Sequence, residues 1–238
     1  ANEQVIDGKC WRCDSVVVKK SMKQWFFRIT AYAEKLLAEL PEMDWPDKIK
    51  IAQTNWIGKS EGAEITFQVD GSDDTITVFS TRPDTIFGTT FLVLAPEHPL
   101  ARTLLNDETR ELVENYINDA VKKSEIERSN DTKEKTGVFS GSYAINPATG
   151  QKIPIWIADY VLGGYGTGAV MGVPAHDDRD FAFAEKFELP VVEVIERPED
   201  DIDTDICYHG EGVLVNSGAF DGTRSEDARE QIVAWLEQ

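Results

Sequence analysis

Cysteine and histidine are scarce in this sequence, with three residues of each in 238 positions. Three cysteines (Cys10, Cys13 and Cys207) are too few for a disulfide framework, so we expect a reducing, cytoplasmic compartment. No apolar run approaches the roughly 20 residues that span a bilayer, so no membrane partner is expected.

The familiar metal-binding spacings are also missing. No HExxH pattern and no EF-hand loop occurs, and Cys10-x-x-Cys13 has only half the ligands of a zinc knuckle. His176, Asp177 and Asp180 offer nitrogen and oxygen ligands, which leaves a metal site open as an alternative. We nevertheless predict that no metal is bound.

Positive charge is in short supply. The net charge is −19, and it is unevenly spread. Residues 1–60 contain 10 Lys and Arg and 8 Asp and Glu, whereas the remaining residues contain 14 Lys and Arg and 35 Asp and Glu. This balance argues against a large nucleic-acid footprint. If the protein meets nucleic acid, we expect it to contact a short end only.

With 41% apolar residues the chain has enough material for a large core. Apolar spacing predicts a helix over residues 21–40, then a short helix with Pro46 in its first turn and Gly58 beyond its end. Strands are predicted at "AEITFQV", "TITVFS", "TFLVLA", "KIPIWIADYVL", "TGAVMGVPA" and "VVEVIE", and helices at "DETRELVENYINDAVKK", at "DDRDFAFAEKF" and from Ser225. "SEIERSNDTKEKTG" is predicted to be polar and mobile. The fold class is therefore α/β: a β-rich, barrel-like core surrounded by helices, preceded by a helical N-terminal arm.

Three aspartates fall within four positions at Asp177, Asp178 and Asp180. Asp177 suits the N-cap of the helix that starts at Asp178, and Asp180 stands where a capping box has its second acid. One cap and the helix dipole need only one or two acids. Asp180 is therefore also a candidate for binding an ammonium group.

The second polar cluster is "STRPDTIFG", residues 80–88, directly after a predicted strand. Pro83 stiffens it, and Asp84 or Thr85 could simply cap a turn. The same hydroxyls, guanidinium and carboxylate also suit a pocket for a small polar ester. No GxSxG elbow is present, so water is the expected nucleophile.

Together, "STRPDTIFG" and "YGTGAVMGVPAHDDRDFAFA" resemble the editing domain of bacterial-type leucyl-tRNA synthetases, and the resemblance covers nearly the whole chain. The editing domains of isoleucyl- and valyl-tRNA synthetases are the near alternatives, but they typically have His or Lys where this chain has Met171. Ser80, Gly163-Gly164 and Gly172 depart from the residues usual in the leucyl family.

The resemblance implies the fold of the editing domains of valyl-, isoleucyl- and leucyl-tRNA synthetases and hydrolysis of tRNA-Leu mischarged with isoleucine, norvaline, methionine or similar residues. Thr81 and Asp180 are then the catalytic residues, and Asp180 also binds the α-ammonium. Thr85 excludes leucine by size, and His176 is either a general base or structural. The implied substrate-binding residues are Ser80, Arg82, Asp84, Thr85, Leu162, Tyr165, Met171, Val173, His176 and Asp177.

The implied partners are the aminoacylated 3′ end of tRNA-Leu and the rest of a synthetase chain, with the domain monomeric. No cofactor is expected for editing, because ATP and Mg²⁺ serve the separate synthetic domain. Residues 1–55 would be the end of a zinc-knuckle insert with a helical linker, 56–223 the editing domain, and 224–238 an exit helix; a piece of a longer protein is expected. An inactive relic that only binds the aminoacylated tRNA end is the other open alternative.

Overall fold

The computed structural model describes residues 4–6, 8–17, 22–123, 125–128, 134–164, 166–198 and 207–238, without the side chain of Ile126. The backbone divides into two compact units, residues 1–61 and 62–238. The predicted boundary between residues 55 and 56 falls inside a helix of the first unit and stays a prediction.

The described residues of the first unit form two short strands and two α-helices. Strands β1 (Val5–Ile6) and β2 (Lys9–Cys10) pair antiparallel. A 3-10 turn (Ile29–Tyr32) leads into α1 (Ala33–Glu39), and a second one (Leu40–Glu42) precedes α2 (Asp47–Ile57). The predicted second helix is confirmed: Pro46 is its N-cap, and Gly58 ends it in the left-handed conformation at φ 61°.

The prediction of a continuous helix over residues 21–40 is wrong for residues 22–28, which are not helical. Trp25, Phe26 and Phe27 are 101%, 78% and 94% exposed, so the apolar face that would stabilise a helix here has nothing to pack against within this unit. Helices of this length depend on such packing.

The second unit is built on one six-stranded sheet with the strand order β4-β3-β6-β7-β5-β8. Its strands are β3 (Ala63–Val69), β4 (Thr75–Ser80), β5 (Phe91–Leu94), β6 (Gly137–Ile145), β7 (Lys152–Ala158) and β8 (Ala169–Gly172). All neighbours pair antiparallel except β5 and β7, which are parallel. The predicted hairpin of β3 and β4 is confirmed, with Ile65, Phe67 and Val69 alternating into the core.

The sheet curls until its two outer strands, β4 and β8, contact each other. No ladder joins these two strands in the described parts of the chain, so the sheet is barrel-like without closing. Strand β5 is buried on both faces, because Leu92 and Leu94 point into the larger core cluster and Phe91 and Val93 into a second one. The predicted α/β class with a barrel-like core is confirmed.

Helices surround this sheet. They are α3 (Arg110–Ala120), α4 (Glu125–Arg128), α5 (Asp178–Phe187) and α6 (Ser225–Leu236). Helix α5 buries Phe183 against Phe91 and Tyr160 in the second cluster, and α6 buries Ala228 and Ile232 in the first. The predicted helix from Ser225 is therefore confirmed.

Two strand predictions need correction. The predictions omit β6, although it is the longest strand of the sheet; a register shift between Phe139 and Tyr143 and the positive φ of Gly141 interrupt its alternation. The predicted strand "VVEVIE" shrinks to β9 (Ile195–Glu196), which pairs only with β10 (Val213–Leu214). Within "SEIERSNDTKEKTG", residues 125–128 form α4, while residues 124 and 129–133 lie outside the described residues. No described helix is long and apolar enough to cross a membrane.

Candidate functional site

The segment after β4 is a stiff 3-10 turn, Pro83–Gly88. Ser80 Oγ accepts the Arg82 N–H at 3.0 Å, and the Thr85 hydroxyl donates to the Arg82 carbonyl at 2.8 Å. Thr85 is completely buried, whereas Thr81 is exposed. The alternative in which Asp84 or Thr85 caps the turn is wrong, because Arg82 occupies the N-cap and no side chain caps it.

Asp84 is instead the buried centre of an ion-pair network. Its carboxylate accepts from the Arg82 guanidinium at 2.8 Å and from Arg229 Nε, on α6, at 3.2 Å. Arg229 also contacts Glu211, whose other carboxylate oxygen accepts from the Ser225 hydroxyl. A carboxylate with zero exposure needs such partners, and bidentate pairing with arginine also fixes its orientation.

Arg82 has little freedom left for a distant ligand. Besides Asp84, its guanidinium donates to the main-chain carbonyl of His209 at 3.0 Å and approaches that of Gly210 at 3.5 Å. Its side chain is 26% exposed. The structure thus gives Arg82 a structural task whether or not it also contacts a substrate.

Asp177 is confirmed as the N-cap of α5. Its Oδ1 accepts the N–H groups of Arg179 and Asp180 at 2.9 and 3.2 Å. The capping-box expectation for Asp180 is wrong, because its carboxylate does not return to the cap residue. It accepts the Val173 N–H at 2.9 Å and the Tyr160 hydroxyl at 3.0 Å.

The Asp180 carboxyl lies in an unusual electrostatic setting. Burial, helped by the negative charge of Asp177, raises its pKa from 3.8 to about 7, against the opposing effects of its two hydrogen bonds and of Arg179. It forms no salt bridge with any of the described residues, because the neighbouring Arg179 pairs with Asp177. A buried carboxylate without a cation is suited to receive one from a ligand.

His176 is buried, and both its ring nitrogens are engaged by the main chain. Nε2 accepts the Val194 N–H at 3.1 Å, which leaves the proton on Nδ1 to be donated to the Tyr208 carbonyl at 2.9 Å. Burial lowers the pKa of this imidazole. Of the two roles left open for His176, the geometry favours the structural one over the general base.

The loop after β7 carries Leu162, which is half-buried; Tyr165 lies outside the described residues. Arg128 of α4, itself 4% exposed, donates to the carbonyls of Asp159 and Val161 at 2.8 and 2.7 Å and forms an ion pair with Glu97. The first part of the loop is therefore fixed to the body of the domain.

The remaining predicted wall residues lie on and just after β8. Met171 is 6% exposed and packs in the larger core cluster, opposite Leu92 in the strand register. Val173 is half-buried beside the same cluster and gives its N–H to Asp180.

Residues 207–210 connect the two polar motifs. His209 accepts from Arg82 through its carbonyl, while its Nε2 lies 3.2 Å from Asp178 Oδ1. The Cys207 thiol donates to the Pro174 carbonyl at 3.4 Å. The turn after β4 and the start of α5 thus lie on either side of this segment.

A polar cleft opens in front of the N-terminus of α5. It encloses about 250 Å³ and is lined by Lys135, Asp177, Asp178, Arg179, Ala182 and His209. The described residues contain no group of three or more His, Cys, Asp or Glu side chains arranged to hold a metal ion.

Sequence reasoning missed four residues of this region: Tyr160, His209, Glu211 and Arg229. Each lies in a segment without a motif, and the first contacts its partner across 20 positions and the last across 145. No spacing rule reaches that far along the chain. The one available signal was the pair "DY" at the end of a buried strand, where a polar group needs a partner.

The second unit thus combines a curled six-stranded sheet with a stiff turn after β4 and a buried Asp180 carboxylate that forms no salt bridge with any described residue. A family model described as "Leucyl-tRNA synthetase, editing domain" matches residues 54–237, and the chain belongs to that family.

Relatives and a solved structure agree with this placement. The chain is 54% identical over 236 residues to a leucine–tRNA ligase of Clostridium perfringens (strain ATCC 13124), covering 99% of this chain and 29% of the relative. It is 56% identical over 237 residues to that of Clostridium botulinum (strain Hall), covering 100% and 28%. The crystal structure of the ternary complex of Agrobacterium radiobacter K84 agnB2 LeuRS-tRNA-LeuAMS matches with a TM-score of 0.71 at 39% identity, over 99% of this chain and 26% of that chain. The chain thus spans less than a third of the length of these relatives.

Proposed function

We propose that this chain hydrolyses the ester bond of tRNA-Leu that carries a wrong amino acid. The observation that carries the proposal is the buried carboxylate of Asp180, which lacks a cationic partner among the described residues of a leucyl-tRNA synthetase editing domain. The α-ammonium of an aminoacyl ester is a cation that such a carboxylate can bind. Pairing it with Asp180 in a partly dry site gives a charge-assisted hydrogen bond.

Such a site is needed because one methylene changes binding by only about 1–3 kcal/mol, which is too little for accurate selection in a single step. Isoleucine, norvaline and methionine are the side chains we expect to be removed. The cognate leucyl ester must be spared. We assign that exclusion to Thr85, which the Arg82 carbonyl holds in a fixed rotamer.

In the hydrolytic step, water attacks the ester carbonyl carbon, the bond from that carbon to the ribose oxygen breaks, and the ribose hydroxyl regains a proton. Thr81 is exposed next to the stiff turn, where its hydroxyl is available to orient the water. Asp180 fixes the ammonium, and hydroxyl and N–H donors stabilise the developing oxyanion. The engaged nitrogens of His176 assign it no proton transfer.

The loop from Leu162 is proposed to hold the terminal adenosine, since Arg128 fixes the carbonyls just before it. Met171 and Val173 would line the side-chain pocket. As partners we propose the 3′ end of tRNA-Leu and the rest of a synthetase chain, and we further propose that the domain is monomeric and cytoplasmic. ATP and Mg²⁺ belong to the synthetic reaction and have no proposed role here.

Calorimetric titration with non-hydrolysable aminoacyl-adenosine analogues tests the proposal without needing a tRNA-binding surface outside this chain. We expect the norvaline analogue to bind at least about tenfold more tightly than the leucine analogue. Asp180→Ala should abolish binding of both. Equal binding of the two analogues would refute the size exclusion, and binding of neither would refute the ammonium site at Asp180.

A further inference from the structure

Tyr160 lies two residues after the end of β7 and is 8% exposed. Its hydroxyl donates to Oδ1 of Asp180 at 3.0 Å, while the Val173 N–H donates to Oδ2 at 2.9 Å. Each carboxylate oxygen therefore has one donor from the protein. Two donors on opposite oxygens fix the rotation of the carboxylate about its last torsion, which is otherwise broad.

The tyrosine is itself held on both sides. Arg128 binds the carbonyls of residues 159 and 161, which flank it in the chain, and the ring packs on Phe183 with centroids 5.6 Å apart. The hydroxyl is thus presented to Asp180 from a fixed main chain and a fixed ring, so the donor has almost no freedom to turn away.

We propose that Tyr160 is a positioning residue that orients the Asp180 carboxylate and keeps it in the form that binds a substrate ammonium. This inference rests on the proposed function of the same site. Tyr160 acts through Asp180 and contacts no reacting atom, so its removal should weaken ammonium binding without removing the anchor.

The charged groups around Asp180 set the direction of the expected effect. Asp177 and Arg179 face Asp180 from the start of the same helix, and Tyr160 faces it from the loop after β7. Lys135 Nζ lies 6.0 Å from the centroid of the Tyr160 ring. The Cys207 thiol lies close to the aspartates of this helix. Burial and Asp177 raise the Asp180 pKa to about 7, and the hydrogen bonds from Val173 and Tyr160 oppose that rise. Loss of the Tyr160 hydroxyl should therefore raise this pKa further.

The test is Tyr160→Phe, which removes one oxygen atom and keeps the ring. In the unliganded 238-residue chain, the Asp180 carboxyl carbon is titrated by NMR, with its signal assigned through Asp180→Asn. We expect the midpoint to move up by about one pH unit. The dissociation constant of the norvalyl-adenosine analogue should then rise about fivefold at pH 7 and less than about twofold at pH 9, where the carboxylate is ionised in both proteins.

Tyr208→Phe is the matched control, because it also removes a buried tyrosine hydroxyl, one that donates at 2.7 Å to the main-chain carbonyl of Glu211. In the Tyr208→Phe variant, the titration midpoint of the Asp180 carboxyl should equal that of the unsubstituted chain. If Tyr160→Phe does not fold, 3-fluorotyrosine placed at position 160 alone provides a stronger donor of nearly the same shape, and the midpoint should move down.

An unchanged Asp180 midpoint in both Tyr160 variants would overturn the inference, as would an analogue affinity at pH 7 that Tyr160→Phe leaves unchanged. Failure of the unsubstituted chain to bind any analogue would refute the proposed function instead. In that case the NMR midpoints still decide whether Tyr160 controls the state of Asp180.

Discussion

Arg229 Nε lies 3.2 Å from Oδ1 of Asp84, so helix α6 holds the turn that follows β4. The same guanidinium contacts Glu211, and Arg82 binds both oxygens of the Asp84 carboxylate. Asp84 is completely buried between two arginines from distant parts of the chain. The position of Thr85, one residue further on, therefore depends on a helix that starts 140 residues later.

Arg229→Gln should destabilise the chain by about 1–3 kcal/mol, because Asp84 keeps one of its two cationic partners and the other is lost. Urea unfolding at neutral pH measures the difference. Arg224→Gln is the control: its side chain is 71% exposed and pairs only with its neighbour Glu226, so the change should stay within about 0.5 kcal/mol. Equal losses in the two variants would contradict a special role for the Asp84 pair.

Thr85→Ala should admit leucine to the proposed side-chain pocket. The substitution removes the hydroxyl that donates to the Arg82 carbonyl and the methyl group beside it. We expect affinity for the leucine analogue to rise at least about tenfold while norvaline binding changes little. Thr77→Ala on β4 removes an exposed hydroxyl paired with Thr66 and should leave the selectivity unchanged. Continued exclusion of leucine would show that another residue sets the size limit.

Asp180→Asn should increase stability at neutral and alkaline pH. Because burial raises the folded-state pKa of Asp180 from 3.8 to about 7, the folded chain keeps a proton that the unfolded chain has lost over that range. Wild-type stability therefore falls as pH rises through this window, by up to about 1.4 kcal/mol per pH unit from this group. The variant should lack that decline, so the two curves of unfolding free energy against pH should separate between about pH 4 and pH 7.

Asp178→Asn is the control for this effect, because its side chain is 76% exposed at the first position of the same helix. Its unfolding free energy should keep the wild-type pH dependence between about pH 4 and pH 7. A parallel pH dependence in wild type and Asp180→Asn would mean that the buried carboxyl titrates in its ordinary range.

His176→Gln should lower stability without changing analogue affinity in the folded protein. The loss should be about 1–3 kcal/mol at pH 8, since glutamine has a donor and an acceptor but not the imidazole geometry that serves Tyr208 and Val194. Burial lowers the pKa of His176 below 6.5, so its contribution is full above pH 6.5 and lost as pH falls. The variant's stability should therefore depend less on pH between 6.5 and 5.

His209→Gln serves as its control. Its side chain is 49% exposed, and the main-chain contact with Arg82 does not depend on the imidazole. We expect little change in unfolding free energy. If His176→Gln instead abolished hydrolysis while binding persisted, the general-base role would have to be restored.

The sequence predicts the elements of the second unit well where local pattern and burial agree. The hairpin of β3 and β4, the cap at Asp177 and the helix from Ser225 each depend on residues a few positions apart. Strand β6 is missed because its bulge near Gly141 breaks the period of two. The predicted helix is wrong over residues 22–28 because helical spacing of apolar residues does not by itself provide a surface for them to pack on.

For the site, the sequence identifies the two polar motifs but not what holds them together. The sequence identifies Asp180 as an acid that is not needed to cap the helix. Its hydrogen bond with Tyr160, however, is a tertiary contact that no short sequence pattern encodes. Arg82 looks like a residue for anions and proves to be bound to Asp84 and to the carbonyl of His209. Tertiary partners, rather than local chemistry, decide which polar groups remain available to a ligand.

The distance along the chain between Arg82 and its partners has a consequence for synthesis on the ribosome. Arg82 reaches the His209 carbonyl across 127 positions, and Asp84 reaches Arg229 across 145. Contacts of such separation form late, after most of the loop between them has emerged and closed. A growing chain that has already paired β3 with β4 and β6 with β7 still lacks the contacts that Arg82 and Asp84 make with His209 and Arg229. The turn after β4 therefore reaches its final set of contacts only after α6 has left the exit tunnel.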